Sequence, residues 1–463
     1  LGALVSLIYG ADSALSPLFL SGIITMVTGL FPVIFVRGAY KHVKIKEGFA
    51  IIVFAWLLSC LFGMLPYVLW GGEFSLINAW YESVSGFTTT GATILSDIEA
   101  LPHGLLFWRS STHFIGGIGV VVFMLLIMPN LSTFRLRLSK IEINTLSREN
   151  YSYKARQTVM IIAGVYVVLA LVAMLALMLA GMDWFDAINH AFSVCATGGF
   201  STRNMSIAAY DSRLIEGMTM VFMYVASIHF GLVFMTFVTK SFRPLNNPVL
   251  KFYLGSLAVI IIATGLSLKL TGGVESWGSA FWQSSFQTIS TASTTGFAIA
   301  DNSNWALLPN FLLLLSGIMC GCAGSTTGGI KADRVLVLFK AIGCRTNKVL
   351  HPTAVNEVKL GNRILKVQEV APHLLYIALY GLILIVSVIL SLAFGVNNHS
   401  SFAASLSSLG NVGPAIGELG SLGNFNSLPA AAKALYTADM FLGRVEIYPV
   451  LAVVAMIFDR RAR

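Results

Sequence analysis

Charged residues are scarce in this chain. They make up 11% of its 463 residues, against 56% for hydrophobic residues, whereas soluble domains carry about 25% charged residues. Apolar stretches of about 20 residues, long enough to cross the hydrocarbon core of a bilayer, recur along the whole length. We place such spans at 18–36, 48–70, 104–129, 158–181, 214–239, 248–270, 305–342, 372–396 and 428–458. The shortage of charge excludes an ordinary soluble domain and predicts an all-α integral membrane protein.

Cysteine is also scarce, and its spacing does not favour a metal site. The five cysteines include no CxxC pair and no Cys/His set with zinc spacing. Cysteines in apolar segments are usually small buried hydrophobic residues, although the pair Cys320 and Cys322 could bind a soft metal.

An initiator Met and a charged signal region are absent, so a secretory signal has little support. Residues 1–10 look like the end of a further span truncated at the start.

The charges that are present follow a membrane pattern. Most of the 30 Lys and Arg lie in the segments 37–46, 135–156, 240–251, 331–366 and 460–463. These basic segments alternate along the chain with acidic or neutral ones, which is the positive-inside pattern. The net charge of +9 is therefore explained by cytoplasmic loops, and we expect no nucleic-acid partner.

One sequence pattern occurs four times along the chain. A short helix-like stretch is followed by a run of small residues that ends in glycine, and a long apolar segment follows. The runs are roughly one hundred residues apart, which is a sign of internal repetition. They are Thr88-Thr89-Thr90-Gly91, Ala196-Thr197-Gly198-Gly199, Ser293-Thr294-Thr295-Gly296 and Gly410-Asn411-Val412-Gly413.

The stretches before the runs, 75–87, 184–195, 277–292 and 401–409, are too short to cross a membrane. We predict that each is a re-entrant half-helix whose carboxyl end, with its negative dipole, points to the membrane centre and favours a cation. Non-helical backbone at that depth must be buried in protein or line water. Four such loops around one axis would form a cation filter of backbone carbonyls. The alternative for any single run is a tight turn or a helix cap.

With these runs the sequence resembles the TrkH/KtrB branch of the Trk/Ktr/HKT potassium transporter superfamily, and most closely the TrkH type. The resemblance covers about 18–463. It implies four pseudo-repeats of helix, re-entrant pore loop and helix around one pore, with extra helices at the N-terminus. The potassium ion would bind at the sixteen residues of the four runs. Relatives that favour sodium often have serine at the position of Gly91, so glycine in all four runs favours potassium.

The resemblance also divides the chain and implies partners. The expected regions are 1–40 (the partly truncated N-terminal helices), 41–157, 158–245, 246–366 and 367–463 (the four repeats). Family members are homodimers in the bacterial inner membrane. They are regulated by a cytoplasmic TrkA-type ring that binds NAD(H) or ATP, for which the basic loops 130–157 and 331–366 are candidate contacts. This chain has no ATPase motif, so we expect it to bind no nucleotide itself.

The third repeat departs from the pattern because its second span is long and rich in helix-breaking residues. The interrupting residues are Gly321, Cys322, Ala323, Gly324, Ser325, Thr326, Thr327, Gly328 and Gly329. We infer two half-helices joined by an intramembrane loop. The resemblance implies that this loop acts as a gate below the filter, and the alternative is a close-packed helix interface. We expect only this repeat to have a broken second helix.

Two basic residues are associated with the gate. Arg444 lies inside the last span, where a charge is costly and usually faces a cavity or a partner. The resemblance places Arg444 in the permeation path near the loop, and the alternative is a local pair with Glu446 or a snorkelling side chain. We expect it to be the one buried arginine of the repeats. Lys331 directly follows the loop and either holds the hinge or anchors the chain on the cytoplasmic side.

Other candidates have ordinary explanations. His113 and His229 lie in spans and suit packing better than a proton relay. Glu82 and Asp301 could attract cations at the outer mouths, but solvated or capping roles fit them better. The glycines at 116, 117 and 119 match a nucleotide loop only as a pattern, because they lie within an apolar span.

The sequence therefore predicts a potassium uptake protein rather than an enzyme, with a channel-like path, a carbonyl filter and an intramembrane gate. The main alternative is a sodium- or proton-coupled potassium symporter, which calls for acidic residues in mid-membrane near the substrate site. The four runs contain none. An intramembrane enzyme would need a paired nucleophile and base or a metal triad, and the scattered histidines form no such set.

Overall fold

The chain folds as a bundle of α-helices. The structure is a computed structural model that describes residues 1–35, 45–126, 155–353, 357–361 and 363–458. In order, the helices are α1 (Gly2–Ile8), α2 (Leu15–Phe35), α3 (Ile45–Gly63), α4 (Leu65–Trp70), α5 (Leu76–Phe87), α6 (His103–Leu126), α7 (Ala155–Leu179), α8 (Trp184–Ala196), α9 (Arg213–Ala226), α10 (Phe230–Thr239), α11 (Pro248–Leu270), α12 (Trp277–Ala292), α13 (Leu307–Ile318), α14 (Ala332–Leu350), α15 (Val367–Ala393), α16 (Asn398–Gly410), α17 (Ala430–Val445) and α18 (Ile447–Phe458).

Strands are few and short within the described residues. β1 (Met319–Cys320) pairs in parallel with β2 (Ile330–Lys331), with Met319 opposite Ile330. β3 (Val358–Leu360) pairs antiparallel with β4 (Arg363–Leu365). The first pair closes a loop between α13 and α14, and the second forms a hairpin between α14 and α15.

The long helices have the dimensions of membrane spans. Within the described ranges, five helices are long and apolar enough to cross a bilayer, and seven if each sharply bent helix pair counts as one span. Their outer surfaces expose large apolar side chains, as on α2, where Phe31 and Val33 are exposed. Exposing such an apolar surface to water is unfavourable, whereas contact with lipid is favourable. Helices lie at the predicted spans. Of the predicted basic segments, most of 37–46 and of 135–156 and all of 460–463 lie outside the described residues, as does most of the candidate contact loop 130–157.

Four short helices, α5, α8, α12 and α16, lie at the predicted half-helix positions and are surrounded by protein. Each packs against the long helix that precedes it (α3, α7, α11 and α15) and against the one that follows (α6, α9, α13 and α17). Polar caps fix two of the starts, because the side chains of Ser75 and Asp183 accept backbone N–H bonds of α5 and α8.

We call each short helix, together with the long helices before and after it, a unit. The packing between neighbouring units closes on itself. The second helix of each unit also contacts the short helix of the next, in the pairs α6 with α8, α9 with α12, and α13 with α16. The circuit ends with α17 of the last unit against α5 of the first. The four short helices are therefore held around a common centre by helices that each serve two units.

The expectation that only the third unit has a broken second helix is wrong. The second unit bends by 100° between α9 and α10, and the fourth by 110° between α17 and α18. In the second unit His229 begins a new helix, because its ring accepts a hydrogen bond from the Gly231 N–H at 2.9 Å. In the fourth unit Glu446 has a left-handed φ of 65° at the bend, and Pro449 just after it lacks the N–H that a continuous helix needs.

Candidate functional site

The four glycine-ended runs share one backbone conformation. In each run the second and fourth residues have positive φ, and Cβ sterics make that region costly for residues other than glycine. The angles are 53° and 81° at Thr89 and Gly91, 56° and 78° at Thr197 and Gly199, 54° and 81° at Thr294 and Gly296, and 54° and 98° at Asn411 and Gly413. A strained conformation that recurs four times in the same register marks a site whose surroundings over-determine it.

The runs meet in a closed ring. A Cβ added to any of the four glycines would lie less than 3.0 Å from the carbonyl oxygen of the third residue of the next run. The contacts pair Gly91 with the Gly198 oxygen, Gly199 with the Thr295 oxygen, Gly296 with the Val412 oxygen and Gly413 with the Thr90 oxygen. The fourth contact returns to the first run, so the runs follow one another around the ring in chain order.

All hydroxyl groups of the runs except that of Thr89 are hydrogen-bonded inside the protein. Thr88 Oγ1 donates to the Val84 carbonyl of α5 at 2.7 Å and lies 2.8 Å from Thr90 Oγ1. Ser293 and Thr295 repeat the hydroxyl pair at 2.7 Å. Because the side chains bond to one another and to the short helices, the main-chain carbonyls remain as the polar groups of the ring.

Asn411 connects the fourth run to the first. Its side-chain amide donates to Thr90 Oγ1 at 3.0 Å and to the Met440 carbonyl of α17 at 2.8 Å. The run of the fourth unit has no threonine, and it contacts the first run through the side-chain amide of Asn411 instead. The fourth and first runs are thus hydrogen-bonded to each other, although the four runs differ in sequence.

A cavity opens at the glycine end of the runs. It has a volume of about 120 Å³, and all four glycines, Gly91, Gly199, Gly296 and Gly413, line it. Polar side chains border it farther out, among them Arg203 and Asn204. The amide of Asn204 holds the pKa of Asp97, on the neighbouring outer loop, below its ordinary value. The opposite end of the ring receives the carboxyl ends of the short helices, whose dipoles place negative potential there.

The loop of the third unit, residues 321–329, lies at that opposite end. The Gly328 N–H donates to Thr294 Oγ1 in the third run at 3.0 Å. Thr326 Oγ1 donates to the Cys195 carbonyl, next to the second run, at 3.1 Å. A Cβ on Gly328 would also collide with the Gly410 carbonyl of the fourth run. The loop therefore touches the third and fourth runs and the residue directly before the second run.

The loop is also anchored to the break in the second unit. The Cys322 N–H donates to the Ser227 carbonyl at 2.9 Å, and the Phe230 N–H donates to the Gly324 carbonyl at 3.2 Å. On the third unit's side, Asp333 Oδ1 accepts from the Ala323 N–H at 2.9 Å. The bend between α9 and α10 thus exposes the backbone groups that hold the loop, which explains why two units break together.

Arg444 reaches the same loop from α17. Its guanidinium donates to the Thr326 carbonyl and, at 3.1 Å, to the Gly116 carbonyl of α6. The alternative of a local pair with Glu446 is wrong, because Glu446 pairs with Arg334 of α14 at 2.9 Å. A snorkelling Arg444 is excluded as well, since the residue is buried. The charge is therefore placed between the loop and the first unit.

Lys331 belongs to the loop rather than to the surface. Its ammonium donates to the Thr327 carbonyl and lies 3.2 Å from Thr327 Oγ1. Cys320 and Cys322, close by, are buried free thiols, and Cys320 Sγ donates to the Gly317 carbonyl at 3.0 Å. Among the described residues, no group of three or more His, Cys, Asp or Glu is arranged to hold a metal ion.

Three of the remaining candidates make local packing or capping contacts, and the fourth, Glu82, differs from the prediction. His113 stacks on Phe200 at 4.1 Å, His229 caps α10, and Asp301 accepts the Ser303 N–H at 2.9 Å as a local cap. Glu82, however, is fully buried and paired with Arg109 at 2.8 Å. The preference for a solvated or capping Glu82 is therefore wrong, and so is the expectation of a single buried arginine.

Sequence reasoning also missed two buried polar residues of α17. The Lys433 ammonium donates to Asn78 Oδ1 and to the Asn426 carbonyl, both at 2.8 Å. Asp439 is buried and hydrogen-bonded to Ser387. The signal that singled out Arg444, a charge inside a span, applied equally to Arg109 and Asp439.

Comparisons with known proteins agree with this architecture. A sequence model of the TrkH family, described as a cation transport protein, matches residues 18–461. The Trk system potassium uptake protein TrkH of Escherichia coli (strain K12) is 34% identical over 427 residues, covering 92% of this chain and 88% of that protein. The protein of the same name from Halomonas elongata is 33% identical over 462 residues, covering 99% and 95%.

A solved structure is similar over almost the whole chain. The crystal structure of the potassium transporter TrkH from Vibrio parahaemolyticus matches with a TM-score of 0.89 and 30% sequence identity, covering 99% of this chain and 95% of that one. The predictions of an all-α integral membrane protein, of membership in this family and of a transporter rather than an enzyme are confirmed. The chain belongs to the TrkH family of cation transport proteins.

Proposed function

We propose that this protein is the ion-conducting subunit of a potassium uptake system, with the ring of four runs as its selectivity filter. The observation that carries the proposal is the closed circuit of glycine-to-carbonyl contacts, in which the final glycine of every run borders the third carbonyl of the next run. A ring of main-chain carbonyls replaces the hydration shell of a cation that enters it. The names of the relatives from Escherichia coli and Halomonas elongata, potassium uptake proteins, support potassium as the cation.

Conduction through the ring needs no chemical energy from this chain. Ions would enter from the cavity that the four glycines line and lose water at the carbonyls of the runs. They would leave past the carboxyl ends of the short helices. A membrane potential supplies about 2.3 kcal/mol per charge per 100 mV to inward movement of a cation, so uptake would run down the electrochemical gradient.

The loop 321–329 would gate this path. It lies against the third and fourth runs and the residue directly before the second run, and Arg444 and Lys331 bring two positive charges to it. A buried positive charge repels a cation strongly where the dielectric constant is low. Flow would then require the loop and the Arg444 side chain to move away, which the glycines of the loop and the bends in the second and fourth units would permit.

The partners follow from the same proposal. Exposed basic residues on α14 and on the β3–β4 hairpin, among them Arg345, Lys348 and Lys359, offer a cytoplasmic surface to a TrkA-type ring that binds NAD(H) or ATP. That ring would supply nucleotide control to the loop through α14, which begins where the loop ends. We further propose that the protein is a homodimer in the lipid of the bacterial inner membrane.

The proposal is tested by flux through the purified protein in lipid vesicles. We expect potassium flux to exceed sodium flux, and deletion of three residues within 322–328 to raise potassium flux without any partner. Equal potassium and sodium fluxes would contradict the filter. An unchanged flux in a folded deletion variant would contradict the gate.

A coupled potassium symporter remains the alternative, and one observation favours it. Asp439 is an acidic residue buried in α17, one residue before Met440, whose carbonyl accepts from Asn411 of the fourth run. A carboxyl group at that depth is a candidate proton or sodium site. Collapsing the proton or sodium gradient in the same vesicles distinguishes the two, because only a symporter would lose potassium accumulation at a constant membrane potential.

A further inference from the structure

A buried ion pair lies behind the first two runs. Glu82 of α5 and Arg109 of α6 are 0% and 1% exposed, and Arg109 Nε and Nη2 each lie 2.8 Å from Glu82 Oε1. Burying two charges is costly unless their remaining hydrogen bonds are satisfied. The partners that satisfy them lie on the backbone that leaves the runs.

Glu82 holds the chain that leaves the first run. Its carboxylate accepts from the Thr93 hydroxyl at 3.0 and 3.1 Å and from the Ile94 N–H at 3.1 Å. Thr93 is two residues beyond Gly91. Hydrogen bonds to a charged acceptor are roughly twice as strong as neutral ones, so this carboxylate fixes the exit of the first run.

Arg109 holds the chain that leaves the second run. Its Nη1 donates to the Ser201 carbonyl at 3.2 Å, and its guanidinium lies over the Phe200 ring at 4.1 Å. Phe200 and Ser201 directly follow Gly199. The same guanidinium reaches the Thr93 hydroxyl at 3.3 Å, so one side chain spans both exits.

The position of Glu82 recurs in the other units. Glu82, His190, Gln287 and Ala404 stand at the same offset before the glycines of their runs, and we name them the rear positions. His190 Nε2 lies 2.9 Å from Ser201 Oγ, and Gln287 donates to the Ala300 carbonyl at 2.8 Å. Three of the four rear positions therefore bond to the backbone or side chain just beyond their own run, and only the first does so with a charge pair.

We propose that the Glu82–Arg109 ion pair is a positioning element for ion discrimination: it sets the distance between the first and second runs, and hence the width of the carbonyl ring. The proposal rests on the proposed function of the ring as a selectivity filter. Gly91 lies against the Gly198 carbonyl, so a shift of either exit moves a ring oxygen directly. Arg109 suits this role better than lysine would, because its planar fork reaches several acceptors at once.

The test compares the potassium-to-sodium flux ratio of variants in lipid vesicles, with the thermal unfolding midpoint measured in parallel. Glu82→Gln keeps the shape and removes the charge, and we expect the ratio to fall about tenfold, a change of roughly 1.4 kcal/mol. Arg109→Lys keeps the positive charge but loses the planar guanidinium with its several N–H donors, and it should give an intermediate potassium-to-sodium flux ratio. Glu216→Gln is the matched control, because Glu216 is also buried and paired with an arginine, at 3.3 Å, but bonds to no run.

The possible results distinguish failure of the positioning role from failure of the proposed filter. A lowered midpoint with an unchanged flux ratio in both Glu82→Gln and Arg109→Lys would overturn the positioning role and leave a structural one. Thr93→Val serves if Glu82→Gln does not fold, since it removes the shared hydroxyl without leaving a buried charge unpaired, and an unchanged ratio there would overturn the proposal equally. A wild-type protein that does not prefer potassium would instead refute the proposed filter.

Discussion

Replacing Gly91 with serine is the most informative single change in the ring. Gly91 has a φ of 81°, a conformation that costs an L-residue roughly 1–2 kcal/mol. A Cβ at this position would also fall on the Gly198 carbonyl oxygen, which must move for the side chain to fit. Because that oxygen belongs to the ring, we expect the potassium-to-sodium flux ratio to fall about tenfold, or roughly 1.4 kcal/mol of discrimination.

The control for this change is Gly395→Ser. Gly395 follows α15 with a φ of 87°, and a Cβ there would meet nothing within 4 Å. Both variants place a side chain at a positive φ, so Gly395→Ser reports the cost of that backbone strain alone, whereas only Gly91→Ser also displaces a ring oxygen. Vesicle flux of potassium and sodium measures the difference. A Gly91→Ser protein that keeps the wild-type flux ratio would refute the assignment of the ring as the filter.

Two further changes test the gate and the mode of transport. Arg444→Ala removes the guanidinium from the Thr326 carbonyl, and we expect potassium flux without a partner to rise about tenfold, equivalent to about 1.4 kcal/mol. Arg345→Ala, at the exposed end of α14, is the control. Equal potassium fluxes in the two variants would contradict a gating role for Arg444. Asp439→Asn should leave potassium accumulation unchanged at a fixed membrane potential, whereas accumulation that stops responding to the proton gradient in this variant alone would favour a symporter.

The repeated parts of the fold were readable from the sequence because they depend on local rules. Length and apolar composition define the long helices, and the short helices are too brief to span a bilayer. The glycine that ends each run is required by a positive φ, as at Gly91 and Gly413. The break between α13 and α14 was also accessible, because four glycines concentrate in the loop.

The parts that were missed depend on contacts between distant segments. The bend between α9 and α10 has no glycine or proline at its centre, where Ser227 and His229 stand, and it exists because the loop of the third unit bonds to the backbone freed there. Glu82 appeared suited to solvent because its partner, Arg109, comes from another helix. Only the assembled ring reveals why a buried charge pair lies at that point.

We propose that four carbonyl oxygens, one from each run, bind a potassium ion on a common axis. This binding is tested most directly by an anomalous difference map from crystals of the protein grown with rubidium, a cation close to potassium in size. We predict a peak between the carbonyl oxygens of Thr90, Gly198, Thr295 and Val412 that excess potassium displaces and excess sodium does not. Ordered rubidium elsewhere on the protein with no peak inside the ring would contradict the account.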